Sequence, residues 1–176
     1  MKITKDHIIM GGITIAGLAL LLRNQFQGPV WDPVSEERIK KLHPAVQAKA
    51  RKFLNLAAKE GIYLRVTDGI RTFAEQEAIY AQGRTKPGEI VTDARGGQSY
   101  HNYGLAIDVV PMVNGQPNYD DDYIRISQIG KSLGFTWGGH FRRTDKPHFH
   151  LSFGFRIAEL QNKVSKNELT NGFVNV

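Results

Sequence analysis

Residues Ser99–Asp108 read SYHNYGLAID and combine a histidine-bearing loop with the start of an apolar strand. His101 lies in a glycine-rich loop, and the apolar run Leu105–Val110, which Pro111 ends, predicts a central strand. Asp108 falls inside that run, where an unpaired carboxylate is costly to bury. Asp108 therefore needs a partner, which is either a metal ion shared with His101 or a hydrogen bond at the end of the strand.

A second cluster, Asp145–His150, has the sequence DKPHFH. Pro147 stiffens the backbone before an alternating segment, so His148 and His150 are expected on the same face of a strand. Two imidazole nitrogens and one carboxylate are a typical ligand set for catalytic zinc, with a fourth position for water. A nearby carboxylate that is not a ligand, such as Asp145, suits the role of general base. The spacing leaves open which histidine is the ligand, and a pair of buried histidines without metal fits the same pattern.

The order of predicted elements indicates the fold class. Apolar periodicity, capping residues and glycine stops predict helices that precede the strands, with one more helix between strands. The predicted helices are Pro44–Glu60, Thr72–Gln82, Tyr123–Leu133 and Ile157–Lys163, after a first helix that starts near Ser35. The predicted strands, besides Leu105–Val110, are Ile62–Thr67, Phe135–Trp137 and Phe149–Phe153. This order predicts an α+β fold, and a length of 176 residues suits one core.

The N-terminal segment Ile8–Leu22 is uncharged and almost entirely apolar, with Lys5 before it and Arg23 after it. Because it lacks the polar stripe of a core helix, it predicts a hydrophobic helix that serves as membrane anchor or signal segment. No small-residue cleavage pattern follows Leu22, which favours an uncleaved anchor. The predicted divisions are the anchor or signal segment at 1–23, a linker at 24–34, a folded domain at 35–164 and a tail at 165–176.

The composition narrows the chemistry of any site. The chain contains no cysteine, so a metal must be held by histidine, aspartate or glutamate. Its 23 lysines and arginines exceed its 17 aspartates and glutamates, for a net charge of +6. These basic residues are scattered and the sequence contains no recognisable nucleic-acid-binding motif, so no nucleic-acid partner is predicted.

The pattern Ser99-x-His101-x-x-Gly104-x-Ala106-x-Asp108, followed by Asp145-x-x-His148, resembles the LAS-type zinc peptidases. This family includes D-alanyl-D-alanine carboxypeptidases and the L-alanyl-D-glutamate peptidases of phage endolysins and bacilli. The resemblance is closer to the second group and covers roughly residues 42–151. Further matching stretches are DGIRT at 68–72, EQ at 75–76, YAQGRT at 80–85, GG at 96–97 and GFTWGG at 134–139.

The resemblance implies one zinc-peptidase domain at residues 35–164, with a small antiparallel sheet flanked by helices. It implies one zinc ion per chain, held by His101, Asp108 and His148, and it makes Asp145 the general base.

The resemblance also implies that Arg71 binds or polarises the scissile carbonyl, while Gln76 and Ser99 line the substrate. By position alone, an ordinary surface ion pair is the favoured role of Arg71. His140 stands where the L-alanyl-D-glutamate group commonly has an acidic residue, and His150 stands where relatives often have Glu or Gln. His150 is therefore expected to support a ligand, and a role as alternative ligand stays open.

The function implied is hydrolysis of the L-alanyl-D-glutamate bond of peptidoglycan stem peptides by metal-activated water. The alternatives are a D-alanyl-D-alanine carboxypeptidase and a non-catalytic zinc-binding module of the same fold. The expected partners are peptidoglycan stem peptides and, through the N-terminal helix, a membrane, with the catalytic domain facing the cell wall. Secretion after signal cleavage and a phage-borne enzyme are the alternative locations.

Overall fold

The computed structural model describes residues 32–176, which form an α+β fold with an antiparallel sheet, as predicted. The helices are α1 (Pro33–Lys40), α2 (Pro44–Lys59), α3 (Phe73–Ala81), α4 (Tyr123–Ser132) and α5 (Ile157–Ser165). The strands are β1 (Leu64–Asp68), β2 (Ala106–Val113), β3 (Gln116–Pro117), β4 (Thr136–Trp137), β5 (His148–His150), β6 (Leu169–Thr170) and β7 (Phe173–Val174). Short 3₁₀ turns occupy Tyr100–Tyr103 and Gly138–His140.

The predicted hydrophobic helix at Ile8–Leu22 lies outside the described residues. Within residues 32–176, no helix combines the length and the apolar character needed to cross a membrane. The anchor or signal segment therefore stays a prediction.

Strand β2 is the centre of the main sheet, whose order is β1-β2-β5-β4 with antiparallel neighbours throughout. Ile107, Val109 and Val110 of this strand are fully buried, which is why the run is apolar on both faces. The β2–β5 register sets Asp108 directly opposite His148. Sheet pairing thus brings together two residues that are far apart in the sequence.

Strand β2 continues through Pro111 to Val113, although Pro111 was expected to end it. Pro111 pairs with Leu64 of β1. The next residue, Met112, donates its backbone N–H to the carbonyl oxygen of Tyr63, the residue that precedes β1. Successive residues of a strand point their backbone N–H and C=O groups to opposite sides, so the backbone groups of Pro111 face away from β1, on the side where β3 and β5 pair with β2. On that side the Pro111 carbonyl oxygen accepts from the Asn118 backbone N–H at 2.8 Å, and the missing proline N–H leaves this pair without the reciprocal hydrogen bond.

The core lies between the sheet and helices α2 and α4. Phe53 of α2 packs edge-on against Phe149 of β5, with ring centroids 4.9 Å apart. Gly130 of α4 lies so close to Phe149 that a Cβ there would be 2.8 Å from the ring. This packing buries β5, the strand that carries His148.

Asp32 and the two residues after it belong to the folded domain, although they fall within the predicted linker. The buried Asp32 carboxylate caps α1 by accepting from the Ser35 backbone N–H at 3.2 Å, and it accepts from Arg65 Nε at 2.9 Å. Helix α1 consequently begins at Pro33, and Ser35 lies inside it rather than capping it. The domain therefore starts earlier than the predicted Ser35.

Replacing Asp32 with alanine is expected to lower the free energy of unfolding by about 2–3 kcal/mol. The change removes a helix cap and charge-assisted hydrogen bonds to Arg65, a largely buried arrangement. Urea unfolding of a fragment that starts before Asp32 measures the loss, and Asp120→Ala, at an exposed turn position, serves as control. Equal stability of the two variants would contradict the cap assignment.

This stabilisation depends on pH in a defined direction. Burial acts to raise the pKa of Asp32, but the hydrogen bonds from Arg65 and Ser35 outweigh burial and lower it. A lowered pKa in the folded state means that the carboxylate stabilises the fold above its ordinary value of 3.8 and loses this effect as the pH falls through the folded pKa. The difference between wild type and Asp32→Ala should therefore shrink in acid.

The predicted C-terminal tail is packed against the domain instead of fraying. Strands β6 and β7 form a hairpin, and Val174 is buried. The His43 ring accepts the Ala45 N–H at Nδ1, so its Nε2–H donates to the Val174 carbonyl oxygen, 2.9 Å away. Phe173 packs edge-on against the same ring at 5.2 Å. His43 and Val174 are 131 positions apart in the sequence, so local patterns do not reveal this contact.

Candidate metal centre and active site

The three predicted metal ligands come from two strands and one turn. Asp108 lies on β2 and His148 on β5, while His101 lies in the 3₁₀ turn before β2. Gly104 ends that turn with φ +67°, and a Cβ at this residue would lie 2.7 Å from the His43 backbone nitrogen. Glycine is therefore required where the histidine turn meets the rest of the domain.

The ligand triangle consists of His101 Nε2, Asp108 Oδ1 and His148 Nδ1. His101 Nε2 lies 3.2 Å from the Asp108 oxygen and 3.1 Å from the His148 nitrogen, and the remaining side of the triangle is 3.3 Å. Zinc bonds of about 2.0–2.2 Å in tetrahedral geometry set neighbouring ligand atoms about 3.3–3.5 Å apart. The triangle therefore has the size and the donor atoms of a zinc site with an open fourth position.

Both histidines hold their other ring nitrogen on a protein acceptor. His101 Nδ1 lies 2.6 Å from the Gly69 carbonyl oxygen, which can only accept, so Nδ1 carries the proton. His148 Nε2 lies 3.2 Å from His150 Nδ1. When His101 Nδ1 and His148 Nε2 donate these hydrogen bonds, the other nitrogen of each neutral ring carries no proton. Those two nitrogens, His101 Nε2 and His148 Nδ1, are the ones that metal binding requires to be unprotonated. The residues fit the ion.

The two carboxylates of the site have opposite pKa shifts. Burial acts to raise the pKa of Asp108, but His101 and His148 outweigh burial and lower it. Asp145 faces the cleft from the loop before β5, and desolvation by the surrounding protein, followed by the charge of Asp108, raises its pKa. The lowered pKa favours the ionised form of Asp108, as metal binding would require, and the raised pKa favours proton binding by Asp145.

Arg71 lines the same cleft as the ligand triangle, and two neighbouring side chains hold its guanidinium. Its backbone N–H donates to the His101 carbonyl oxygen at 3.0 Å, and its guanidinium donates to Asp68 and, at 2.6 Å, to Gln76 Oε1. Gln76 is fully buried and donates onward to the Ala94 carbonyl oxygen at 2.8 Å. In the structure the Gln76 side chain supports Arg71 from the interior, and its predicted contact with the substrate stays a prediction.

The triangle opens into a cleft of about 710 Å³ that also contains Ser99, Arg71 and Asp145. Ser99 additionally caps the histidine turn by accepting the His101 backbone N–H. His140, in contrast, is exposed and packs edge-on against Trp137 at 5.0 Å.

The cleft also contains Tyr100, Phe141 and Arg143, which were not predicted as site residues. Arg143 joins the two walls of the cleft, because it donates to Asp93 at 3.3 Å and to the Ile90 carbonyl oxygen at 3.1 Å. The only sequence signal for Tyr100 was its position next to His101. The only signal for Phe141 and Arg143 was their position in the loop that leads to Asp145.

Comparison with known proteins agrees with this geometry. A family model described as D-alanyl-D-alanine carboxypeptidase, of the M15 peptidases, matches residues 92–151. The peptidoglycan L-alanyl-D-glutamate endopeptidase CwlK of Bacillus subtilis is 44% identical over 122 residues, which cover 62% of this chain and 73% of CwlK. The chain belongs to the M15 peptidase family. The predicted family resemblance and the predicted peptidase class are thereby confirmed.

Three other similar proteins extend the comparison. The L-alanyl-D-glutamate peptidase of Listeria phage A118 is 30% identical over 121 residues, covering 65% of this chain but only 40% of the phage protein. The crystal structure of the Serratia marcescens L-Ala D-Glu endopeptidase ChiX matches with a TM-score of 0.51 and 28% identity, covering 69% of this chain and 88% of ChiX. VanYB, solved in complex with D-alanine-D-alanine, is 18% identical with a TM-score of 0.50, covers 69% of this chain and 82% of VanYB, and shares the fold.

Proposed function

We propose that this M15 peptidase uses one zinc ion, held by His101, Asp108 and His148, to hydrolyse the L-alanyl-D-glutamate bond of peptidoglycan stem peptides. The observation that carries the proposal is the ligand triangle, whose atoms lie 3.1–3.3 Å apart at the base of a cleft. The choice of bond is supported by the names of CwlK, the phage A118 peptidase and ChiX.

The residues around the triangle suit hydrolysis of an amide. When bound, zinc polarises water and a carbonyl group so that attack becomes possible near neutral pH. Asp145, with its raised pKa, accepts the proton of the attacking water and returns it to the leaving amine. Arg71, held by Gln76 and Asp68, donates to the oxygen on which negative charge develops.

The two alternatives differ from the proposal in testable ways. A D-alanyl-D-alanine carboxypeptidase must bind the free terminal carboxylate of its substrate. The family model that matches residues 92–151 is described as D-alanyl-D-alanine carboxypeptidase. A non-catalytic zinc module has no need of a cleft that places Asp145 and Arg71 together with the metal ligands. The presence of Asp145 and Arg71 in the same cleft as the ligand residues supports catalysis. The 44% sequence identity to CwlK supports the endopeptidase rather than the carboxypeptidase.

Product analysis on purified peptidoglycan tests the proposal. The zinc-loaded full chain is expected to create new L-alanine carboxyl ends and D-glutamate amino ends. A chelator should stop the reaction, and added zinc should restore it. Release of D-alanine instead would identify the carboxypeptidase, and zinc-loaded protein that cleaves no wall peptide would overturn the catalytic proposal.

We further propose that Ile8–Leu22 anchors the enzyme to a membrane with the catalytic domain facing the wall. The full-length protein is then expected to sediment with membranes and to resist extraction by high salt, because the attachment is hydrophobic. Its mass should remain that of the intact chain, and a fragment that starts before Asp32 should be soluble and active. A mature protein that begins shortly after Leu22 would identify a cleaved signal segment and leave the catalytic proposal intact.

A further inference from the structure

His150 contacts the proposed ligand His148 and also lines the cleft, so its geometry suits more than support of that ligand. Its ring stacks on Tyr100, with centroids 4.1 Å apart and planes 8° from parallel. The Tyr100 hydroxyl in turn donates to the Phe155 carbonyl oxygen at 2.8 Å. The plane of the His150 ring is therefore set by packing, and its two nitrogens have defined surroundings.

The proton positions along the two rings follow from metal binding. If His148 Nδ1 binds zinc, that nitrogen carries no proton, and a neutral His148 ring carries its proton on Nε2. His148 Nε2 lies 3.2 Å from His150 Nδ1, so it donates and His150 Nδ1 accepts. His150 is then neutral with its own proton on Nε2.

The second ring nitrogen of His150, Nε2, is available to a partner outside the described protein residues. Within residues 32–176 this atom has no protein hydrogen-bond partner. Every buried side-chain nitrogen and oxygen in this part of the chain does have a partner, so His150 Nε2 is not one of the buried atoms. The atom is therefore accessible, and His150 is one of the residues that line the cleft. The surface that the substrate occupies thus presents an N–H donor beside the ligand triangle.

We propose that His150 has two separable functions. Its Nδ1 orients the ligand His148, and its Nε2–H donates a hydrogen bond to a carbonyl or carboxylate oxygen of the bound acidic peptide. This inference rests on the proposed zinc site and deepens it by assigning a substrate contact.

Three substitutions separate the two functions. In His150→Asn the side-chain oxygen takes the position of Nδ1 and keeps the acceptor for His148, but the cleft donor is lost. In His150→Gln the terminal amide takes the position of Nε2 and keeps the donor, but the acceptor next to Cγ is lost. His150→Phe keeps the stacking on Tyr100 and removes both.

The expected results are opposite for the two amides. For His150→Asn, the zinc dissociation constant from chelator competition should stay close to wild type, while KM at saturating zinc rises about three- to tenfold. For His150→Gln, zinc binding should weaken about 10- to 100-fold, the range for loss of a residue that orients a ligand, with a smaller rise in KM than in His150→Asn. His150→Phe should show both defects, and His140→Gln, outside the cleft, should show neither.

A spectroscopic measurement on the wild type does not depend on the variants. Histidine ¹⁵N spectra of the zinc-loaded full chain should show His150 protonated at Nε2 alone. Protonation at Nδ1 would overturn the inference, as would unchanged zinc affinity and KM in His150→Phe. Wild-type protein that binds no zinc would instead overturn the proposed function, so the two failures are distinguishable.

Discussion

Replacement of His148 by alanine is expected to weaken zinc binding by at least about 10²-fold and to abolish peptidase activity. His148 Nδ1 is one corner of the ligand triangle, 3.1 Å from His101 Nε2 and 3.3 Å from Asp108 Oδ1. Alanine leaves only two protein ligands. Because four-ligand zinc sites are worth about 10–16 kcal/mol, one ligand accounts for about 3 kcal/mol, or at least about 10²-fold in affinity.

Metal analysis after dialysis, together with hydrolysis of purified peptidoglycan, measures this loss. His150→Ala is the informative comparison, because it removes the neighbour of the ligand and not the ligand, and should retain zinc, although more weakly. The exposed His140→Ala is the matched control. Retention of zinc by His148→Ala together with its loss from His150→Ala would mean that His150 is the true ligand.

Asp145→Asn is expected to keep both the zinc and the fold and to lose about 10²- to 10⁴-fold in kcat. Asp145 is not part of the ligand triangle, so metal affinity should be preserved. The amide has the same shape as the carboxyl group but cannot accept a proton from water. The raised pKa of Asp145, caused by desolvation and then by Asp108, suits exchange of that proton during the reaction.

Single-turnover and steady-state rates of wild type and variant, each with zinc content measured, test this role. Asp120→Asn makes the same chemical change at an exposed turn outside the cleft and serves as control. Unchanged kcat in a zinc-loaded Asp145→Asn would assign the proton transfer to another group in the cleft.

Most of the secondary structure was predictable because its signals are local. Thr72 caps helix α3 and forms a capping box with Glu75, and α4 is followed by Gly134 with φ +90°. These features need only neighbouring residues, so the sequence displays them. The start of α1 was misplaced although its signals are local as well, because Asp32 accepts the Ser35 N–H and Pro33 occupies the first helical position. Only the ion pair of Asp32 with Arg65 of β1, 33 positions away, is invisible to local patterns.

The ligand set illustrates the same limit at the active site. Spacing placed His148 and His150 on one strand face but left open which of them is the ligand. In the structure, the β2–β5 register sets Asp108 opposite His148 and Ala106 opposite His150. A shift of this pairing would place the other histidine beside the aspartate, so the choice is made by strand pairing and not by composition.

The sequence by itself determined the α+β class, the family resemblance and the residue types of the site, because motif spacing and local turn chemistry are written along the chain. Only the tertiary structure decided that Gln76 supports Arg71 from the interior and that the C-terminal hairpin is held by His43. It also placed His148 Nε2 3.2 Å from His150 Nδ1 and put His150 at the cleft, the two observations on which the proposed donor role rests. The physical reason is that these roles depend on which atoms packing brings within hydrogen-bond distance, across separations that no local pattern records.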